Sequence, residues 1–284
     1  GIGYDALRAV NPKIIMCSIS GYGQTGPLAN VPGHDINYVA RSGVLGLFGP
    51  ADGLPSVPGV QMADISGGSL CASTGILAAL IEREKTGVGR FLDISMTRSV
   101  VSLAAMSTPT LGLGMDMPRG RGFLSGGIPS YRIYKTKDGR FMALGALEPK
   151  FFITFCTLIG APELAQHVYA IGEDGEKAMN QLESIFGEKT QAEWVELFKG
   201  AEVCCEPVRT LEEAVADPEL GLAATEVHGA CTVLPHFGVD PSADGIGDAP
   251  ALGAHGLELL EEFEVDSSLA DAAKASRAVV LGVS

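Results

Sequence analysis

The sequence predicts an α/β fold, and three observations predict it. Two short apolar runs, KIIMCSIS (13–20) and RFLDISM (90–96), read as strands on either side of a long helical stretch, 64–87. Residues 130–147 alternate in places around Asp138-Gly139, which reads as a hairpin turn. Residues 149–228 are mainly helical in pattern. The length of 284 residues suits one large or two ordinary domains.

The first strand ends in the turn GYGQTG. Gly21, Gly23 and Gly26 match the letters of the dinucleotide fingerprint. That fingerprint needs a helix to start at once, because the pyrophosphate sits on the helix N-terminus. Here Pro27 and ANVPG follow, which suit a loop, and no strand ending in an acidic residue appears about twenty residues on. Residues 34–47 look helical, and FGPADGLPSVPG (48–59) reads as an irregular loop. The helix of residues 64–87 begins with small side chains: Ser66, Gly67, Gly68, Ser69, Ala72, Ser73 and Gly75. A helical glycine costs about 1 kcal/mol against alanine, so the run implies close approach by another helix or by a ligand. The helix turns charged at EREK and stops at Gly87. After the second strand a helix is expected through about residue 107. The Gly/Pro-rich stretch 114–130 is the candidate domain boundary. VHGACTVL (227–234) reads as a strand, the Pro/Gly/Asp-rich stretch 235–256 as a loop, and GLELLEEF as a last helix. No internal repeat is seen.

Charge narrows the function. The net charge is −14, with 14 basic and 10 acidic side chains in residues 1–160 and 6 and 24 in residues 161–284. An acidic chain is a poor nucleic-acid binder. An anionic small molecule would fall to the first half, where Arg119, Arg121, Arg132, Lys135, Lys137 and Arg140 cluster in sequence; a solvated basic face explains them equally well. No apolar run is expected to span a membrane, and neither end carries a targeting pattern. Six irregularly spaced cysteines read as reduced thiols, so a cytoplasmic location is expected.

Metal binding and hydrolase chemistry are poorly supported. His228, Cys231 and His236 match no paired-ligand spacing, Cys204-Cys205 lacks a local base, and no G-x-S-x-G elbow occurs. Three other residues carry more. Asp64 opens the small-residue helix, so alone it reads as an N-cap; a carboxylate there also faces the room that small side chains leave, and the helix dipole would hold it ionised. His34 alone reads as a structural histidine, and Glu148, before Pro149, as a loop acid.

Together they read differently. SGYGQTGP, GHDINYVARSGVLGL, ADISGGSLCASTGILAALIERE with TGVGRFLDISM, and YRIYKTKDGRFMALGALEPKF occur in that order. The combination resembles the family III CoA-transferase (CaiB/BaiF-like) superfamily across essentially the whole chain, and within it the α-methylacyl-CoA racemases. The resemblance implies that His34 and Asp64 are the catalytic bases, that Glu148 bonds and orients the histidine, and that Tyr131 lines the acyl pocket. It places Gly33, Asp35, Tyr38, Gly126 and Gly127 among the substrate- and CoA-binding residues. An imidazole suits the task because its ordinary pKa lies near neutrality, and groups at the Gly-rich loop or a helix N-terminus would hold the thioester oxygen.

The implied fold is a Rossmann-like large domain, incomplete at its N-terminus (1–125), a smaller α+β domain (126–235), and a segment returning to the large domain (236–284), in an interlocked homodimer. The implied reaction is racemisation of a 2-methylacyl-CoA, with no cofactor beyond the CoA of the substrate, no metal and no membrane or nucleic-acid partner. Two alternatives stay open. Family III transferases use the aspartate at Asp64 as a nucleophile that moves CoA between acids, and Val60 stands where such racemases often carry Asn, with Gln61 adjacent. The family also begins with roughly a hundred residues that have no match here, so the chain is alternatively a non-catalytic fragment or subunit.

Overall fold

The structure, a computed structural model, describes residues 2–114, 118–222, 224–227, 230–233, 250–251 and 254–275. Helix α1 (Tyr4–Val10) leads into β1 (Met16–Ser20), and a loop of fourteen residues then reaches α2 (Asp35–Arg41). No helix follows β1 directly, as the Gly-Pro sequence there predicts. A 3-10 turn, Val44–Leu47, and an irregular loop come next. A π-helical segment, Met62–Leu70, continues without a break into α3 (Cys71–Thr86), which stops at Gly87 in the left-handed conformation. Strand β2 (Phe91–Ser95) pairs in parallel with β1, Met16 opposite Phe91 through Ser20 opposite Ser95. Helix α4 (Met96–Val100) starts from Ser95, whose hydroxyl accepts the Arg98 N–H, and a 3-10 turn carries the chain to Ala104.

The small residues of the π-segment answer one expectation. A Cβ at Gly67 would come within 2.8 Å of the Met96 carbonyl oxygen, and one at Gly68 within 3.3 Å of the Met96 side chain. These two glycines let the segment lie on α4, so another helix, rather than a ligand, fills the space they leave. Met62–Thr86 as a whole is 25 residues, long and apolar enough to cross a membrane by length and composition. This corrects the expectation that no run reaches that length. It packs on α4 and on the β1–β2 pair while Ile65, Leu77 and Ile81 stay exposed.

After the short α5 (Thr108–Gly112), strands β3 (Tyr131–Lys135) and β4 (Phe141–Gly145) form the expected hairpin, with Gly139 at φ 80° in its turn. Helices α6 (Pro149–Leu158), α7 (Gly172–Phe186) and α8 (Gln191–Phe198) follow. Then β5 (Cys205–Pro207) joins the far edge of β4, a three-residue strand inside a region that reads as helical in sequence. Beyond it lie α9 (Leu211–Val215), the antiparallel pair β6 (Ala224–Val227) and β7 (Ala230–Val233), α10 (Gly256–Glu262) and α11 (Ser267–Ala275). The single strand expected at 227–234 is thus the second half of a hairpin.

The chain packs as two units, Gly1–Val208 and Arg209–Ser284. The first contains two hydrophobic clusters. One gathers Tyr22, Tyr38, Val39, Val44, Ala63 and Val100 around α2, the π-segment and α4. The other gathers Tyr134, Phe152, Phe155, Phe186, Trp194 and Phe198 between the β3–β4–β5 sheet and α6–α8. Its rings stack, Tyr134 on Phe186 at 4.9 Å and Trp194 on Phe198 at 5.5 Å. Its polar tips are satisfied: Trp194 Nε1 donates to the Phe186 carbonyl and Tyr134 Oη to that of Pro129. The two clusters draw on residues 22–100 and 134–205, the aromatic cluster being the second; residues 236–249, where the returning segment would begin, lie outside the described residues.

Candidate active site

His34 is the N-cap of α2. Its extended backbone turns the chain into the helix, and its own N–H donates to Asn37 Oδ1 at 3.0 Å, half of a capping arrangement. The imidazole is exposed. Its neighbour Asp35 does something the sequence does not announce. The Asp35 carboxylate accepts the N–H of Ala63 at 2.6 Å and that of Asp64 at 3.0 Å. These are the second and third residues of the π-segment, whose own N-cap, Gln61, makes no side-chain capping bond. So Asp64 is not the cap that its position in the sequence suggests. Asp35 caps the helix from outside, and Asp64 sits in its first turn, half-buried.

This bond links the backbone of Asp64 to the residue that follows His34. Asp35 follows His34 directly, and consecutive Cα atoms are about 3.8 Å apart, so the contact that fixes Asp64 also fixes the backbone from which His34 springs. A second link runs through Tyr38. Its ring lies against the backbones of Gly21 and Gly33, where a Cβ would come within 2.3 and 2.8 Å of it. Its hydroxyl donates to the Gly33 carbonyl, the residue before His34. Burial first, then Tyr22 and the Asp64 charge, push this hydroxyl above its ordinary pKa of 10. Asp35 and Tyr38, expected to touch substrate, direct the groups described here to the protein's own backbone.

The Gly-rich loop beside them is held from a distance in sequence. The Asp93 carboxylate accepts the Gln24 N–H, Thr97 Oγ1 donates to the Gly21 carbonyl at 2.7 Å, and Ser20 accepts the Gly23 N–H. No local signal marks Asp93 or Thr97, which lie about seventy residues from their partners.

Glu148 stands elsewhere. It is the exposed N-cap of α6, with Pro149 opening the helix, and makes no capping bond with its side chain. It borders the aromatic cluster rather than the His34 cluster. Its charge, after burial, helps to raise the thiol pKa of Cys204. Tyr131 and Gly126 line an apolar cavity of about 950 Å³ with Leu124, Ile133, Leu144 and Cys204. Gly126 also borders, with Gly127, a smaller cavity of about 610 Å³. A Cβ at Gly127 would fall 2.0 Å from the Arg121 carbonyl oxygen, so this position needs glycine for packing. Within one chain, then, the structure brings together Gly33, His34, Asp35, Tyr38 and Asp64, and separately Gly126, Gly127 and Tyr131.

Arg119, Arg121 and Arg132, candidates to face an anion, make bonds within the protein. Arg119 Nε donates to the Pro50 carbonyl, Arg121 pairs with Asp52 at 2.9 Å, and Arg132 bonds the Gly126 carbonyl and Glu183. Cys205 is buried with a raised pKa, and burial pushes Cys156 up to about 12, so both are packing residues rather than nucleophiles. No cluster of three metal-ligating side chains occurs among the described residues; His228 and His236 lie outside them.

Comparison with known proteins shows what the chain is similar to. The sequence matches CoA-transferase family III over residues 1–255. The chain belongs to that family. It is 35% identical over 270 residues to the alpha-methylacyl-CoA racemase of Homo sapiens, covering 92% of this chain and 70% of the relative. It is also 32% identical over 276 residues to the human succinyl-CoA:glutarate CoA-transferase, covering 92% of this chain and 62% of that one. Among solved structures, a CaiB/BaiF family protein from Brucella suis superimposes with a TM-score of 0.72 at 27% identity, over 92% of this chain and 71% of the other. The mixed α/β fold and the membership of a CoA-handling family thus agree with the reading of the sequence.

Proposed function

We propose that this family III chain carries the two-base centre of a racemase acting at the α-carbon of a 2-methylacyl-CoA thioester. The observation that supports this best is the Asp35 carboxylate, which ties the amide of Asp64 to the residue beside His34. The α-proton of a thioester is weakly acidic, so its removal needs a positioned base and a stabilised enolate. In one direction the His34 imidazole takes the α-proton, and the C–H electron pair moves into the enolate. The Asp64 carboxyl group then delivers a proton to the opposite face as the carbonyl re-forms. In the other direction the roles exchange. One C–H bond breaks and one forms, CoA stays on the acyl group, and no acceptor is consumed. The apolar cavity beside Tyr131 suits the acyl chain.

Glu148 would orient the histidine through its other ring nitrogen. Its place by the second cluster of the same chain suits a site completed by another copy, in which the Rossmann-like part of one subunit meets the β3–β4 sheet of its partner. The exposed apolar face at Ile65, Leu77 and Ile81 suits such an association as well.

A transferase reading has its own observation: Val60 stands where racemases of this kind often carry Asn. There the Asp64 carboxylate would attack the thioester carbonyl and expel the CoA thiolate. The thiolate would then attack the Asp64 acyl carbon, releasing the first acid as its carboxylate and leaving an Asp64–CoA thioester, from which an acceptor carboxylate takes CoA by the same two steps in reverse. Incubating the protein with a 2-methylacyl-CoA in D2O separates the two by NMR or mass spectrometry. The racemase incorporates deuterium at the α-carbon with no added acid, and His34→Ala lowers that rate by about 10²-fold or more. CoA transfer to an added carboxylate, with an Asp64 adduct trapped by hydroxylamine and no α-deuterium, would replace the first reading with the second.

A further inference from the structure

We infer that Asp35 is a positioning residue, whose carboxylate sets where Asp64 stands relative to His34. Three features carry this. The π-segment begins with amide donors that its own first turn cannot satisfy, and its N-cap Gln61 supplies no side-chain acceptor. The Asp35 carboxylate accepts two of those donors, at 2.6 and 3.0 Å, and one of them is the amide of Asp64 itself. Asp35 is also the first residue of α2, rigidly next to His34, and α2 is held by the Tyr38 hydroxyl on the Gly33 carbonyl. A single side chain therefore fixes the spacing between the two bases. A bond from a local cap at Gln61 would satisfy the helix but would not tie it to α2. The assignment replaces a substrate-binding role for the Asp35 carboxylate, whose Oδ1 is already committed to both amides.

The inference rests on the proposed reaction only for its activity readout, since Asp64 must be placed for either racemase or transferase chemistry. The experiment compares Asp35→Asn, which keeps an acceptor oxygen at the same reach, with Asp35→Glu. The latter keeps the charge but moves the acceptor by about one carbon–carbon bond, roughly 1.5 Å. Two quantities are read on each full chain: α-deuterium exchange of a 2-methylacyl-CoA, and protection of the Ala63 and Asp64 amides from solvent exchange by NMR. Positioning predicts that Asp35→Asn loses only about threefold in kcat, whereas Asp35→Glu loses about 10²-fold, as a displacement on the order of 1 Å can cost. KM should change little in either, and amide protection should fall only in the glutamate variant. If Asp35→Glu keeps its rate while Asp35→Asn loses it, the charge and not the geometry matters, and the inference is wrong. Equal amide protection in both variants would overturn it too. If the unaltered chain exchanges no deuterium, the racemase reading fails, and the amide protection alone still decides the role of Asp35.

Discussion

Gly67 and Gly75 lie eight residues apart on one continuous helix, and a methyl group would affect them oppositely. At Gly67 a Cβ would come 2.8 Å from the Met96 carbonyl oxygen and 3.1 Å from the Val100 amide, and backbone atoms cannot swing aside. Gly67→Ala should therefore destabilise the protein by about 1–3 kcal/mol, the usual cost of overpacking. At Gly75 the nearest atoms are the Leu92 methyls at 3.5 Å and beyond, which is ordinary contact. Gly75→Ala should gain up to about 1 kcal/mol of helix propensity. Thermal melts of the two variants check the pair, and a matching loss at both positions would mean that α3 sits closer to β2 than the structure places it. Part of the site is legible in the sequence. His34 and Asp64 stand out by type and by family resemblance. The role of Asp35 does not, because its partners are amides twenty-eight and twenty-nine residues away, and an amide carries no mark of its identity in the sequence.

Among the elements, the long helix is legible from its charged end and stopping glycine, and the two strands beside it from their short apolar, partly β-branched runs. The β3–β4 hairpin was legible from Asp138-Gly139. Strand β5 was not, since three residues are too few to show a period, and its place is set by pairing with β4 across a gap of sixty residues. The hairpin turn also does more than its glycine suggests. Asp138 accepts the Thr136 hydroxyl at 2.5 Å and the N–H of Gln191, the first residue of α8, so one carboxylate joins turn and helix. The Thr136 bond, followed by the amide contacts, holds its pKa below the ordinary 3.8. A carboxylate depressed in the folded state stabilises above its unfolded pKa, and that contribution disappears as pH falls through the folded one. Asp138→Ala should thus melt below the unaltered protein at pH 7, with the gap closing only below about pH 4. A gap that stays constant from pH 7 to pH 2 would show that the charge has no part in it.

For the whole molecule, the decisive feature is that one chain holds its candidate residues in two places. His34 and Asp64 belong to the cluster around α2 and the π-segment, and Glu148 caps α6 at the edge of the aromatic cluster. A site assembled from two copies makes a prediction that one assembled within a chain does not. His34→Ala and Glu148→Ala should each be inactive alone. In a homodimer with such shared sites, the two variants co-expressed with different tags in equal amounts would pair randomly, and roughly half of the dimers would be mixed. In a mixed dimer of shared sites, one site receives both substitutions and the other receives neither. The mixture should then recover about a quarter of the unaltered rate of α-deuterium exchange, and the purified mixed dimer about half. If each site drew His34 and Glu148 from the same chain, every site in the mixture would carry one substitution, and exchange would stay at the level of the single variants. Recovery therefore reads the provenance of Glu148 directly, whatever acyl group fills the cavity beside Tyr131.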